Sequence, residues 1–166
     1  MMHDTDSRQT DAAAALLVDL LRKRGWTVTT CESCTGGGIS AALVDIPGAS
    51  DVLRMAFVTY CDEAKMELAG VRRETLQAYT AVSEQTAREM AEGIRVRANA
   101  DLSLAATGIA GPGGTGEFPA GLVYLACAAE GKTEVRQYHF AGDRNEVRSQ
   151  AVYEALQLAL RMMKEI

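Results

Sequence analysis

The chain is poor in the groups on which most hydrolases, metalloproteins and nucleic-acid binders are built. Only two histidines occur in 166 residues. His3 falls in a polar N-terminal stretch, and His139 alternates with Tyr138 and Phe140 in a strand-like run. A Ser-His-Asp triad is therefore not expected. The longest apolar runs, Ala12 to Val18 and Val123 to Ala129, fall far short of the ~20 residues that a membrane helix needs, so no membrane is expected as a partner. Basic clusters are equally scarce. Lys and Arg number 17 against 22 Asp and Glu, and no basic run is longer than Arg22-Lys23-Arg24. The net charge of -5 argues against nucleic acid as a partner. Residues 1–10 are polar, unlike a secretory signal, which makes the cytoplasm the expected location and thiols the expected state of the four cysteines. Cys31 and Cys34 lack a second ligand pair at zinc spacing, so no metal is expected.

What remains is an ordinary globular composition, 48% hydrophobic and 23% charged, in a length that suits one domain. That domain is expected over 10–166, behind a flexible tail at 1–9. Thr10 to Arg24 carries the stripe of an amphipathic helix and stops at Gly25. Trp26 to Thr30 reads as a strand, the segment 32–38 as a glycine-rich turn, and Ile39 to Val44 as a helix. A second strand is expected over Val52 to Tyr60, with Asp62 capping a short helix that ends near Gly70. A long helix follows Ser83, and Leu102 to Ala106 forms a third strand. Leu122 to Ala128 and Glu134 to Phe140 make an antiparallel hairpin around Glu130-Gly131-Lys132. Asp143 and Glu146 form a capping box for a final helix. Helices alternating with strands predict an α/β fold: one three-layer α/β/α domain whose mixed sheet includes a C-terminal β-hairpin.

Five features could carry chemistry. Ser33 lies where a strand hands over to a helix, a turn that exposes a hydroxyl and aims free N–H groups at a developing oxyanion. The same placement also suits a simple N-cap for Ser33 or Thr35. With no suitable histidine, a lysine is the remaining base, and Lys65 falls in the first turn of the helix after Asp62. There the positive helix end disfavours its charged form. Taken singly, Lys65 reads equally as a solvated helix residue. Residues 107–121 hold six glycines and two prolines directly after a strand, as anion-cradling loops do, although no Gly-Lys-Ser/Thr follows. Arg144 stands at a helix start, where a guanidinium pairs with phosphate or carboxylate. Cys31-Glu32-Ser33-Cys34 is a competing C-x-x-C motif of the kind that thiol-disulfide oxidoreductases place between strand and helix.

Read together, Thr30-Cys31-Glu32-Ser33-Cys34-Thr35-Gly36-Gly37, Asp45-Ile46-Pro47-Gly48-Ala49-Ser50, Phe57-Val58-Thr59-Tyr60, Glu63-Ala64-Lys65, Ala81-Val82-Ser83-Glu84, Thr107-Gly108-Ile109-Ala110-Gly111-Pro112 and Gly142-Asp143-Arg144 resemble the CinA carboxy-terminal domain family. This is the nicotinamide-nucleotide amidase family, also called PncC, and the resemblance covers nearly the whole chain from the first helix onward. It implies hydrolysis of nicotinamide mononucleotide to nicotinate mononucleotide and ammonia, in pyridine nucleotide recycling, without a metal or other cofactor. It also implies Ser33 as nucleophile, Lys65 as base and Tyr60 as a helper in the proton network. Thr107 and Arg144, with Thr35, Gly36 and Gly108, would hold the nucleotide. A homo-oligomer is expected, in the stand-alone form of the domain. Cys31 stands where alanine is common in the family, Cys61-Asp62 where Ser-Asn is usual, and Phe118 where a lysine is familiar. Two other readings stay open: a thiol-disulfide oxidoreductase using Cys31 and Cys34, and a non-catalytic nucleotide-binding module linked to competence or DNA damage.

Overall fold

The computed structural model describes residues 2–166, with side chains from Ser7 onward. Five strands form one sheet in the order β2-β1-β3-β4-β5: β1 Val28–Glu32, β2 Leu53–Val58, β3 Leu102–Gly108, β4 Leu122–Ala129 and β5 Lys132–His139. β1 lies between β2 and β3 and is parallel to both, whereas β4 and β5 are antiparallel additions. The sheet is mixed, with the C-terminal hairpin expected from the sequence. Gly131 has φ of 72°, as the tight turn between Ala129 and Lys132 requires.

Helices cover both faces, giving three layers. On one face α1 (Met2–Arg24), α2 (Gly38–Val44) and α6 (Arg144–Glu165) bury Leu17, Leu21, Ile39, Leu43 and Leu156 against Leu102, Leu104, Val123 and Leu125. On the other, α5 (Glu84–Arg97) lays Ala87, Met90, Ala91 and Ile94 over the small residues Cys31, Ala105, Ala126 and Ala128. The alternation of side chains along β3 and β4 between these two clusters follows from the period of two in a strand. Ser103, on the α5 side, donates its hydroxyl to Ala91 O at 2.6 Å, which satisfies a buried polar group against the helix. Asp143 caps α6 with the capping box read from the sequence, accepting from Asn145 and Glu146 N–H while Glu146 takes the Asp143 N–H. Among the described residues no helix is long and apolar enough to cross a membrane.

Several boundaries differ from the expectations. β1 runs two residues further, to Glu32, because residues 29–32 pair on both sides; Trp26 instead turns back, its N–H on Leu21 O. β2 ends at Val58, and just beyond it the Thr59 N–H still donates to Glu32 O. A short helix α4 (Arg73–Tyr79) was not anticipated. Asp62 is the first residue of α3 (Asp62–Ala69), not its cap; Cys61 occupies the cap with no side-chain capping hydrogen bond. α1 begins before Thr10, so residues 7–9 are helical, while Met1 and the side chain of His3 lie outside the described residues.

α5 approaches the end of α3 so closely that a Cβ at Gly93 would lie 1.7 Å from Ala69 O. Gly93→Ala forces two backbones apart and should cost about 1–3 kcal/mol or somewhat more, read as a lower urea midpoint with unchanged slope. An unshifted midpoint would show that α3 is not held by this crossing.

Candidate active site

The three parallel strands end together at one edge of the sheet, and the turn after β1 lies across it. Glu32 O accepts the Thr59 N–H at 2.8 Å, and the Ser33 N–H donates to Ala106 O at 2.9 Å. Both neighbours thus hold the chain where the strand stops. Gly36 and Gly37 then take positive φ values of 60° and 96°, and their turn delivers the chain into α2. A Cβ at Gly38 would meet Val152 of α6 at 2.8 Å, so glycine also lets α2 pack tightly there.

Lys65 projects from the first turn of α3 under this edge, and it is only 2% exposed. Its Nζ donates to Thr59 O at 2.9 Å and to Ser33 Oγ at 3.3 Å. Ser33 itself is 9% exposed. The Lys65 amine is held below its ordinary value of 10.5, first by burial, with Asp62 and then the thiols of Cys31, Cys61 and Cys34 pulling the other way. The sequence suggested the positive helix end as the cause, but loss of water does most of the work. A neutral Lys65 keeps one N–H on Thr59 O and turns its lone pair to the Ser33 hydroxyl, the relation of a base to its nucleophile.

An open cleft of about 400 Å³ faces this pair, lined by Ser33, Tyr60, Asp62, Lys65, residues 107–115 and Arg144. It is within the usual range for a small-molecule site. Tyr60 is exposed at the mouth, and its hydroxyl accepts from Arg144 Nη2 at 3.0 Å; Arg144 Nη1 donates to Gly111 O at 2.7 Å. Arg144 therefore bridges the Tyr60 end of the cleft to the glycine-rich loop. Gly108 lines the cleft where a Cβ would strike Leu122 O at 2.5 Å. The Thr107 hydroxyl is already committed, to Ala81 O at 2.7 Å, and ties the segment before α5 over the cleft.

Thr35 and Gly36 are not brought into this cleft. The Thr35 hydroxyl is fully buried on Glu32, and Thr35 lines a separate opening of about 480 Å³ bordered by α1, α2 and α6. Gly36 faces the guanidinium of Arg148, which also donates to Thr35 O at 2.9 Å. Two contributors escaped the reading of the sequence: Thr59, whose carbonyl receives Lys65, and Glu32, which organises the turn; Asp62, read there as a cap, lines the cleft. Thr59 is placed by the distant Glu32 O, whereas the Glu32 side chain acts through the residues that follow it in the turn. Among the described residues, the Cys34 and Thr35 N–H groups donate to no main-chain carbonyl.

The C-x-x-C pair is divided between the two faces of the sheet, with Cys31 in the cluster under α5 and Cys34 in the cluster under α1, α2 and α6. All four cysteines are free thiols. Burial pushes Cys31 up to about 11 and Cys34 up to about 12, the latter against the pull of the Cys34 and Thr35 N–H groups. Such thiols are poor nucleophiles at neutral pH, and the redox reading loses its chemical basis.

In the unfolded chain Lys65 binds its proton up to the ordinary 10.5, whereas in the fold it releases it at lower pH. Stability therefore rises as pH climbs through the window between the two values. Relative to Lys65→Met, the natural chain should gain stability as pH is raised from neutrality towards 10.5, followed by urea midpoints of both proteins. A difference that stays flat with pH would contradict a depressed Lys65.

The family model for the CinA C-terminal domain matches residues 10–163. A competence-damage inducible protein of Acetivibrio thermocellus is 47% identical over 99% of this chain and 40% of its own length. A CinA-like protein of Kosmotoga olearia is 47% identical over 89% of this chain and 36% of its own length. The chain thus spans well under half of these curated relatives. Solved structures match nearly end to end. The competence/damage inducible protein CihA of Agrobacterium tumefaciens superposes with a TM-score of 0.90 at 40% identity, covering 94% of this chain and 96% of that one. A CinA superfamily protein of Klebsiella pneumoniae gives 0.92 at 37% identity, covering 95% and 99%. On the match of nearly its full length to the family model and to these relatives, the chain belongs to the CinA C-terminal domain family.

Proposed function

We propose that the protein is an amidohydrolase that cleaves the carboxamide of nicotinamide mononucleotide, releasing ammonia and nicotinate mononucleotide, in pyridine nucleotide recycling. The observation that carries this reading is the contact of 3.3 Å between Lys65 Nζ and Ser33 Oγ, with the amine buried and its charged form disfavoured. A serine and a neutral lysine so placed form a nucleophile and its base without histidine or metal.

In the reaction Ser33 Oγ attacks the carboxamide carbon while Lys65 Nζ takes the hydroxyl proton. The carbonyl electrons move to oxygen, and the N–H groups that follow Ser33 in the turn stabilise the resulting oxyanion. As the C–N bond breaks, the Lys65 ammonium returns its proton to the leaving nitrogen, and ammonia departs. The acyl ester on Ser33 is then attacked by water, with Lys65 again the base, yielding the carboxylate and free Ser33. The substrate's pyridinium withdraws electrons from the carbonyl. Its fixed positive charge also opposes protonation of Lys65, offsetting the contrary pull of Asp62. Arg144 and the main-chain N–H groups of Gly111, Gly113 and Gly114 in the loop are suited to the phosphate. Binding energy gained there, remote from the amide, serves to orient the reacting groups. Tyr60 connects the two ends through its hydrogen bond with Arg144.

Incubation with nicotinamide mononucleotide should release ammonia, and Ser33→Ala should bring that release to background while the protein stays folded. Lys65→Arg keeps a positive charge but supplies no base near neutral pH, so kcat should fall by about 10²- to 10⁴-fold. In the natural chain kcat/KM should rise with pH as Lys65 loses its proton. A Lys65→Arg protein with full activity and the same pH profile would overturn the mechanism. No ammonia release from the natural chain would instead favour a binding module.

A further inference from the structure

Glu32 ends β1 with its side chain fully buried, and none of the steps above uses it. A carboxylate so deep costs free energy unless its oxygens are well paired. Here every contact is a donor. Oε2 accepts the Thr35 hydroxyl at 2.7 Å, the Gly37 N–H at 3.1 Å and the Ile39 N–H at 2.9 Å. Oε1 accepts the Ser40 N–H at 2.9 Å and the Ser40 hydroxyl at 3.0 Å. The main chain on either side is held as well, by Thr59 on Glu32 O and by Ala106 O on the Ser33 N–H. Between these fixed points the turn closes through Gly36 N–H on Ser33 O at 3.0 Å and Gly38 N–H on Thr35 O at 3.1 Å.

We infer that Glu32 is the positioning residue of the nucleophile: by gathering the donors at the start of α2 it fixes the 33–37 turn in the shape that sets Ser33 Oγ beside Lys65 Nζ. The inference rests on the reading of Ser33 as nucleophile. It has a second consequence. The place at the start of α2 where an anion would sit is filled by the protein's own carboxylate, so a substrate phosphate is directed to the glycine-rich loop and Arg144 instead.

Glutamine has the shape of glutamate but one acceptor oxygen fewer. With its oxygen towards Thr35, Gly37 and Ile39, its NH₂ meets the Ser40 N–H donor to donor; flipped, it meets the other three donors. Glu32→Gln therefore loosens the turn without removing a reacting group. Thr35→Val removes only the shortest contact.

The test uses the full chain and an alkyl fluorophosphonate, which phosphonylates activated serines as Ser33 Oγ bonds to phosphorus, fluoride leaves and Lys65 takes the proton. The labelled residue and its rate are read by mass spectrometry, well below the melting transition. Glu32→Gln should label Ser33 about 100-fold more slowly, the scale expected for a misplaced reacting group, and Thr35→Val should be slowed by a smaller factor. The pH of half-maximal labelling should not move, because Lys65 is untouched, and Ile39 and Ser40 amides should exchange hydrogen faster. With nicotinamide mononucleotide, kcat should fall and KM should hold. Labelling of folded Glu32→Gln at the natural rate would mean a purely structural carboxylate and overturn the inference alone. If Glu32→Gln does not fold, an undiminished rate in Thr35→Val has the same effect. Failure of the natural chain to label at Ser33 would overturn the nucleophile reading and, with it, this inference.

Discussion

A lysine amine must be taken out of water beside a serine hydroxyl without being left unpaired, and the carboxyl edge of the sheet is arranged around that requirement. Solvent would keep Lys65 charged and useless as a base, while full isolation would cost more than a small domain can spare. The structure meets both limits with one carbonyl, that of Thr59, which accepts from Nζ. Thr59 is itself placed by its N–H on Glu32 O and by the contact of its hydroxyl with Cys31 Sγ at 3.3 Å. The parallel pairing of β1 with β2 is therefore what brings Lys65 to Ser33. The site costs stability, and the apolar packing on the two faces of the sheet has to cover that cost.

The turn after β1 separates two electrostatic tasks that a strand-to-helix junction usually combines. Donors at the start of α2 are consumed internally by Glu32, which makes the junction rigid. The cleft on the other side is left with Arg144, the glycine-rich loop and the first N–H groups of the turn as its positive elements. Rigid on one side and receptive on the other, the edge can hold a reacting hydroxyl within narrow limits while a ligand enters and leaves.

Much of this was legible in the sequence where the signal is local. The capping box of Asp143 and Glu146, the hairpin around Gly131 and the turn at Ser33 depend on residues a few positions apart, and each appears in the fold. The nearness of Lys65 to Ser33 could be suggested by the lack of another base and by family resemblance, but the reason for its low proton affinity could not, because burial is a property of the assembled domain. Thr35 and Gly36 look like ligand contacts beside a serine; they face the other way because Glu32 reaches over the turn to Thr35, Ile39 and Ser40. Thr107 looks free until Ala81, far away in sequence, takes its hydroxyl. Cys31 and Cys34 resemble a redox pair in one dimension, yet neighbouring layers of the core separate them.

The proton affinity of Lys65 decides whether it can serve as a base, and it can be measured directly. In protein labelled with ¹⁵N and ¹³C at lysine, the side-chain resonances of Lys65, assigned by comparison with Lys65→Met, are followed as pH is raised. A base at Lys65 requires a midpoint clearly below the ordinary 10.5, coinciding with the acidic limb of kcat/KM for amide hydrolysis. A midpoint at or above 10.5 would contradict that role, for a lysine that keeps its proton there cannot take one from Ser33 at neutral pH.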